Sequence, residues 1–271
     1  MPGHASHGRF VWYDLVTPDP DAAEGFYTKV AGWGTMPWSG ADALDGSGPY
    51  IMWTAGETAI GGRGKLPEEA IAQGAPPHWL AYVTVPDLGA VVERTKEMGG
   101  GVLMPPTTME GVGAFAILRD PQGAAFCPFT PEAGAGGEIE APHVGQFSWH
   151  DLLTTDHEAA FAFYCEVFGW EKTGQMDMGE MGIYQMFGPE AGGDFSYGGM
   201  FNKPANMPAP PHWLCYIMVE DIDQALASVR EMGGQVLDGP REVPGGDQIA
   251  QCMDPQGAAF ALHSKGPAAA G

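Results

Sequence analysis

The sequence repeats itself, and this repeat restricts the possible folds more than any other feature. The run PPHWLAYV, beginning at Pro76, returns as PPHWLCYI at Pro210, and DPQGAAF at Asp120 returns unchanged at Asp254. The chain has 271 residues, and a typical domain contains about 100 to 200 residues. The repeat and the length together predict two similar domains.

The two copies can be bounded by aligning the chain with itself. RFVWYDL from Arg9 matches QFSWHDL from Gln146, and the later motifs match after a shift of three residues, which we place once, in a loop following Gly61-Gly62. We predict a first domain at 9–130, a linker at 131–144 and a second domain at 145–264. The linker contains PEAGAGGEIEAPH, whose composition is typical of a connection between domains.

Charge and hydropathy exclude several kinds of partner. With 34 acidic and 12 basic residues, the formal net charge is -22, so we expect neither nucleic acid nor membrane as a partner. No apolar run approaches the ~20 residues of a membrane-spanning helix, and the first residues lack the apolar stretch of a secretory signal. The four cysteines form no C-x-x-C pair, which favours a reducing cytoplasm.

Each copy alternates between strand and helix patterns in a fixed order. A strand, a helix and several short strands are followed by a second strand, helix and group of strands, which predicts an α+β fold with helices on one face of each sheet. In the second copy we expect Thr155 or Asp156 to cap the first helix and Gly169 to end it. DPQG is typical of a turn before the last strand.

Alternation along the strands separates a helix-facing side from a possible ligand-binding side. In HWLAYV, Trp79 and the residues in step with it are apolar, whereas His78 and Tyr82 lie on the opposite face, as His212 and Tyr216 do in the second copy. The first strands place further polar and aromatic groups together: Trp12 with Asp14, and Trp149 with Asp151. These residues either line a ligand site or serve only to build the repeated fold.

The ordered motifs resemble the vicinal oxygen chelate superfamily, which includes glyoxalases, bleomycin-resistance proteins and extradiol dioxygenases. The similarity is carried by FYTKVAGW and FYCEVFGW at the end of the first helix, by a Gly-Gly pair after the second, and by DPQG before the last strand. It implies two tandem domains, each built from two βαβββ modules that form a half-open, barrel-like sheet. Metal-using members of the superfamily hold a divalent ion with histidine and glutamate side chains.

The resemblance also indicates that the usual metal ligands are missing. The positions that carry them in metal-using members correspond here to Trp12, Leu80, Cys127, Trp149, Leu214 and Ala261. Indole, isobutyl and methyl groups do not bind the divalent ions that imidazole and carboxylate bind. We therefore expect no cofactor and no metal at the usual site.

A displaced site in the second copy remains a hypothesis. His212 lies two residues before one lost ligand position and His263 two residues after another. If their strands are antiparallel neighbours, as the resemblance implies, the two histidines would meet near one rim, with Asp151 or His150 as acid, base or ligand. The second copy would then be the catalytic one, and a divalent metal there is a less favoured alternative.

Three functions stay open at the level of sequence. The first is an enzyme that acts on a small molecule by lyase, isomerase or detoxification chemistry. The second is a binding protein that sequesters an aromatic or cationic compound, with Trp12, Trp149, Tyr82 and Tyr216 as stacking surfaces. The third is a scaffold without a ligand, which would leave the polar face of the sheet without a function. Since four modules are present in one chain, we expect a monomer or a weak homodimer.

Overall fold

The computed structural model describes residues 7–42, 48–72, 74–132 and 141–266, without the side chains of residues 41 and 42. Within those ranges the helices are α1 (Pro20–Ala31), α2 (Glu68–Ala72), α3 (Leu88–Glu97), α4 (His157–Phe168) and α5 (Ile222–Glu231), with a short 3₁₀ helix at Gly179–Met181. Most of the predicted linker, residues 133–140, lies outside the described residues.

The strands follow the predicted order in both copies. In the first copy they are β1 (Phe10–Thr17), β2 (Gly34–Asp42), β3 (Pro49–Ala55), β4 (Thr58–Lys65), β5 (His78–Thr84), β6 (Gly101–Met109), β7 (Gly113–Arg119) and β8 (Ala125–Pro131). In the second they are β9 (Phe147–Thr154), β10 (Glu171–Asp177), β11 (Ile183–Gly188), β12 (Gly198–Asn202), β13 (His212–Met218), β14 (Gln235–Glu242), β15 (Gln248–Met253) and β16 (Ala259–Ser264). The predicted α+β class with two βαβββ modules in each copy is confirmed.

Each copy contributes one eight-stranded sheet with the same topology. The orders are β2-β3-β4-β1-β5-β8-β7-β6 and β10-β11-β12-β9-β13-β16-β15-β14. The pairs β1 with β4 and β5 with β8 are parallel, as are β9 with β12 and β13 with β16. The pairs within the hairpins are antiparallel.

Side-chain packing combines segments of both copies. The described chain divides into two compact units. The first consists of residues 7–12, 80–132 and 150–214, and the second of residues 13–42, 48–72, 74–79, 141–149 and 215–266. Each unit therefore joins one half of the first copy to the complementary half of the second. The predicted boundaries at 9–130 and 145–264 stay a prediction about the repeat in the sequence.

The helices begin and end at residues suited to those positions. Asp19, Asp87, Asp156 and Asp221 precede α1, α3, α4 and α5, and each carboxylate accepts a hydrogen bond from the backbone N–H three residues later. Such caps satisfy donors that have no partner within the helix. Of the two predicted caps for α4, Asp156 is the one observed. Gly169 ends α4 in the left-handed conformation, as expected.

The repeated motifs of the first unit form one buried hydrogen-bonded chain. The indole of Trp213 donates to the Tyr164 hydroxyl at 3.1 Å, which donates to Asp120 Oδ2 at 3.1 Å. Asp120 Oδ1 accepts the backbone N–H groups of Gln122, Gly123 and Ala124. One hydrogen-bonded network, which is a structural device of the fold, thus joins the motifs HW, FY and DPQG.

The second unit contains the same chain, built from the other copy of each motif. Trp79 donates to the Tyr27 hydroxyl at 3.0 Å, and Tyr27 donates to Asp254 Oδ2 at 3.2 Å. Because buried polar groups are stabilised only when they are hydrogen-bonded, this device explains why these motifs return almost unchanged. Trp79 also packs against the helix-facing core, as its strand alternation predicts.

The glutamine of DPQG connects the turn to the start of a helix. Gln122 Oε1 accepts hydrogen bonds from Thr154, Thr155 and the backbone N–H of Asp156, while its Nε2 donates to the Asp156 carbonyl. In the second unit Gln256 makes the corresponding bonds to Thr17 and Asp19. The second half of one copy therefore fixes the helix start of the other.

Replacing Gln122 by Ala is expected to lower the free energy of unfolding by roughly 2 kcal/mol, because several side-chain and backbone groups lose their partner. Chemical denaturation of the variant checks this value. Gln235→Ala, an exposed position on β14, is the matched control and should change stability by less than about 0.5 kcal/mol. Equal stability of the two variants would contradict the assigned role of Gln122.

Among the residues that the structure describes, the helices are all too short or too polar to cross a membrane.

Candidate functional site

A hydrogen-bonded aspartate and tyrosine occur at equivalent places in the two copies. In the second copy the Tyr184 hydroxyl on β11 donates to Asp151 Oδ1 on β9 at 2.5 Å, and only 5% of Asp151 is exposed. In the first copy the Tyr50 hydroxyl on β3 donates to Asp14 Oδ1 on β1. Each pair places a carboxylate and a phenol side by side on the sheet face opposite the helices.

A glycine on the intervening strand makes each pair possible. Gly62 on β4 is paired in register with Asp14, and Gly199 on β12 is paired with Asp151. A Cβ atom at Gly62 would overlap the Tyr50 ring, and one at Gly199 would overlap the ring of Tyr184. Only a residue without a side chain lets the phenol pass over this strand to the aspartate.

Gly62→Ala is expected to displace Tyr50 and to lower the free energy of unfolding by roughly 3 kcal/mol, since overpacking and the loss of a partly buried hydrogen bond both destabilise. Thermal or chemical denaturation measures this difference. Gly64→Ala, on the same strand, is the matched control because a Cβ there meets nothing within 4 Å, and its effect should stay below about 1 kcal/mol. Equal losses would show that the tyrosine does not depend on the glycine.

Sequence comparison found the aspartates and the glycine pairs but missed Tyr50 and Tyr184. The prediction of a single register shift after Gly61-Gly62 is wrong. Strand pairing makes Met52 equivalent to Met186, because each lies opposite the second glycine. The three-residue shift between the two copies therefore applies to β3 and β11, does not apply to β4 and β12, and applies again from β5 and β13 onward. With a single shift Tyr50 aligns with Phe187, which conceals the repeated tyrosine.

His150 does not share the face of Asp151. Its ring stacks on Phe10 with centroids 3.6 Å apart, and its Nδ1 lies 2.8 Å from the Tyr197 carbonyl oxygen, to which it donates. Burial lowers the pKa of His150 to about 4, against the opposite effect of this hydrogen bond. The ring is therefore neutral at pH 7 and belongs to the core, because neighbouring residues of a strand point to opposite faces.

His212 and His263 are not brought together as predicted. The expectation that their strands are antiparallel is wrong: β13 and β16 are parallel, and Met218 lies opposite His263. His212 and Met218 are the first and last residues of β13, so they are separated by roughly 20 Å along the strand. His212 Nδ1 instead lies 2.8 Å from the Pro210 carbonyl oxygen.

His263 has its own pair of partners. Its Nδ1 lies 2.8 Å from Ser148 Oγ, and its Nε2 lies 2.8 Å from Asp247 Oδ2. The imidazole is 13% exposed. Sequence reasoning identified His263 but neither Ser148, which lies 115 residues away in the chain, nor Asp247, which lies 16 residues away, since neither belongs to a recognisable motif.

The other predicted ligand-binding residues lie in mixed surroundings. His78 Nδ1 is 2.8 Å from the Pro76 carbonyl oxygen, and burial lowers the pKa of His78 despite this bond. Trp12 and Trp149 are partly exposed and lie two residues before Asp14 and Asp151. A ligand-stacking role for these two indoles stays a prediction.

Tyr82 belongs to an apolar cluster in the first unit, on the face opposite the helices. The cluster consists of Leu80, Phe115 and Cys127, with Tyr82, Met104, Met109, Ile117 and Phe129 packed against them. Tyr82 lies 5.5 Å from the Phe115 ring and 6.3 Å from the Phe129 ring. Its counterpart Tyr216 is 2% exposed and opposite Ala261 on β16.

The described residues do not fit the divalent ion of metal-using relatives. The positions implied by the resemblance hold indole, isobutyl, thiol and methyl groups. In the four described stretches of chain, His, Cys, Asp and Glu side chains nowhere gather in a group of three or more that could hold an ion. A stable site requires at least three such ligands, so no step of the chemistry proposed below passes through a metal.

The fold and the paired aspartates define a duplicated member of a known superfamily. The model of the Glyoxalase/Bleomycin resistance protein/Dioxygenase superfamily matches residues 9–127 and 142–262. The chain belongs to this superfamily.

Two relatives match almost the whole chain. "Putative glyoxylase CFP32" of Mycobacterium bovis is 33% identical over 257 residues, which cover 94% of each chain. "Anthracycline biosynthesis protein DnrV" of Streptomyces peucetius is 30% identical over 285 residues, with 97% of each chain covered.

Solved structures support the same fold at lower identity. The Mn(II)-bound glyoxalase of Novosphingobium aromaticivorans superposes with a TM-score of 0.60 at 15% identity, covering 97% of this chain and 83% of that one. The 2,3-dioxygenase LapB of Pseudomonas sp. KL28 gives a TM-score of 0.62 at 13% identity and covers 97% and 94%.

Proposed function

We propose that this protein is an enzyme that acts on a small organic molecule by acid–base chemistry, without the metal site that is usual in its superfamily. The observation that carries the proposal is the Asp–Tyr pair, built twice over a glycine, with the carboxylate of Asp151 buried and that of Asp14 partly buried. A buried carboxylate in contact with a phenol joins a proton acceptor and a hydrogen-bond donor in one site.

The pair suits removal of a proton from a carbon atom next to a carbonyl group. Asp151 accepts the proton, and the electrons of the C–H bond move into the carbonyl. As Asp151 becomes neutral, the Tyr184 hydroxyl, which donates to this carboxylate in the resting site, turns to donate its hydrogen bond to the substrate oxygen that becomes negative. Return of the proton at another atom completes an isomerisation, and departure of a leaving group completes a lyase reaction. Asp14 and Tyr50 offer the same groups in the first copy.

The relatives support a carbonyl compound as ligand. One carries the name of a glyoxylase and another the name of an anthracycline biosynthesis protein. Anthracyclines are flat aromatic molecules with carbonyl groups. Trp12 and Tyr82 in the first unit, and Trp149 in the second, are partly exposed and suit stacking on such a ligand, whereas Tyr216 is too buried for that role. Each aromatic contact contributes about 0.5 to 1.5 kcal/mol beyond burial.

A second function, sequestration without chemistry, is favoured by the apolar cluster around Tyr82. Its aromatic and methionine side chains adapt to a flat ligand and carry no charged group. An aromatic compound would then be held without being changed. A cationic compound is a further possibility because of the net charge of -22.

The cellular setting is part of the same proposal. The four cysteines form no C-x-x-C pair, and Cys127, Cys215 and Cys252 are buried, which supports a reducing cytoplasm. We expect a monomer or weak homodimer that binds neither nucleic acid nor membrane, given the negative charge.

The two functions are distinguished by incubating the purified protein with methylglyoxal–thiol adducts, catechols and an anthracycline aglycone. Product analysis by mass spectrometry and binding by fluorescence quenching are measured in parallel, with and without EDTA. Product formation that survives EDTA supports the enzyme. Saturable binding of an unchanged compound supports sequestration, and neither result with any compound would leave both proposals without support.

A further inference from the structure

Ser148, His263 and Asp247 form a continuous hydrogen-bonded chain in the second unit. Ser148 lies on β9, His263 on β16, and Asp247 in the turn that precedes β15. The distances are 2.8 Å from Ser148 Oγ to His263 Nδ1 and 2.8 Å from His263 Nε2 to Asp247 Oδ2. This is the order hydroxyl, imidazole and carboxylate that activates a nucleophile.

The carboxylate determines where the protons lie. Asp247 also accepts hydrogen bonds from the Gly266 N–H and Lys265 Nζ, both at 3.0 Å. Partial burial alone would raise the pKa of Asp247, but the bonds from Gly266, His263 and Lys265 outweigh it and lower the pKa to about 2. An ionised carboxylate only accepts hydrogen bonds, so His263 Nε2 carries the proton.

When the imidazole carries a single proton, on Nε2, Ser148 is the donor to Nδ1. With the proton on Nε2, Nδ1 of His263 is an acceptor. The alternative acceptor for the hydroxyl, the Tyr216 carbonyl oxygen, is farther away at 3.4 Å. The Ser148 hydroxyl therefore directs its proton at Nδ1 of His263, the nitrogen that would remove it. Ser148 is partly exposed, and His263 is exposed by 13%.

We propose that Ser148 is a nucleophile activated by His263 and oriented by Asp247, and that it accepts the acyl group of a carboxylic ester or thioester. Ser148 Oγ forms a bond to the carbonyl carbon while its proton passes to His263 Nδ1. The bond from that carbon to the leaving oxygen or sulfur breaks, and the leaving group takes this proton. Water then attacks the acyl-serine, gives its proton through His263 to Ser148, and releases the carboxylic acid.

The first copy supplies an internal comparison. The equivalent positions in the repeat hold Val11, Phe129 and Gly113, so none of the three groups is present there. The second copy thus carries a reactive site that the shared fold does not require. This site is distinct from the Asp151–Tyr184 pair, and its failure or success leaves the proposed acid–base function untouched.

The test is labelling of the full-length protein with a fluorophosphonate, which phosphonylates activated serines, followed by intact-mass measurement and peptide mapping. We expect one adduct, located on Ser148. Release of 4-nitrophenol from 4-nitrophenyl acetate should fall by about 100-fold or more in His263→Gln. Labelling mapped elsewhere, or no labelling of the wild type, would overturn the proposal without the need for any variant.

Variants separate activation from a merely structural role. Ser148→Ala should abolish the adduct, and Asp247→Asn should slow labelling. Ser196→Ala is the matched control, because Ser196 Oγ bonds the Thr173 hydroxyl at 2.6 Å and no imidazole, and it should label like the wild type. If the folded His263→Gln variant were labelled at the same rate as the wild type, activation of Ser148 would be contradicted.

Discussion

Turnover of a carbonyl substrate is expected to fall by about two to four orders of magnitude when Asp151 is replaced by Asn, since positioned proton transfer contributes about that much. Asn keeps the shape of the side chain and can still accept the hydrogen bond from Tyr184, so stability should change little. The expected loss lies in kcat, because the proton acceptor acts in the transition state. Steady-state kinetics of the pure variant measures it.

The corresponding variants assign the chemistry to a copy and to a group. Tyr184→Phe removes the donor and keeps the ring, so it should lower kcat by about 100-fold while substrate affinity stays within a few-fold. Asp14→Asn and Tyr50→Phe make the same changes in the first copy. Full turnover in the Asp14→Asn/Asp151→Asn double variant would contradict the proposed function, whereas unchanged binding with no turnover in the wild type would favour sequestration.

The stability of the wild type is expected to fall with acid more steeply than that of His150→Tyr. The pKa of His150 is about 4 in the folded state, compared with 6.5 as the ordinary value. Because the unfolded chain takes up the proton first, stability is lost as the pH falls from about 6.5 to about 4. The loss from this residue alone amounts to roughly 2 kcal/mol at about pH 5.

Tyrosine is the informative replacement at position 150 because the first copy already has Tyr13 there, stacked on Phe147 at 3.8 Å. It has no proton to gain between pH 7 and pH 4, so its variant lacks this part of the acid sensitivity. Chemical denaturation of both proteins at about pH 7.5 and about pH 5 gives the difference. Equal losses in the two proteins would show that His150 does not titrate as its burial implies.

Much of the fold follows from the sequence because it depends on local patterns and on a repeat. Asp156 and Gly169 mark the ends of α4 by the chemistry of helix termini, and Trp79 lies in the core as strand alternation predicts. What the sequence did not reveal is that the repeated motifs join different copies. The bond from Gln122 to the start of α4 crosses the repeat, and no pattern within one copy contains it.

The candidate site was predictable only in part, and the reason is the same. Asp14 and Asp151 were recognised because they keep one register in the repeat. Tyr184 was missed because loops of changed length on both sides of β11 alter the alignment twice. The pairing of His212 with His263 failed because it depended on strand direction, which the sequence does not encode locally; β13 and β16 run parallel.

Under the proposed function, a member of a superfamily with metal-using enzymes works through paired aspartate and tyrosine side chains. The most direct measurement is the turnover of the wild-type protein before and after exhaustive chelation, with metal content determined on the same samples. We predict that turnover stays within about two-fold when bound metal has been removed. Loss of turnover on chelation, restored by adding Mn²⁺ or another divalent ion, would contradict it.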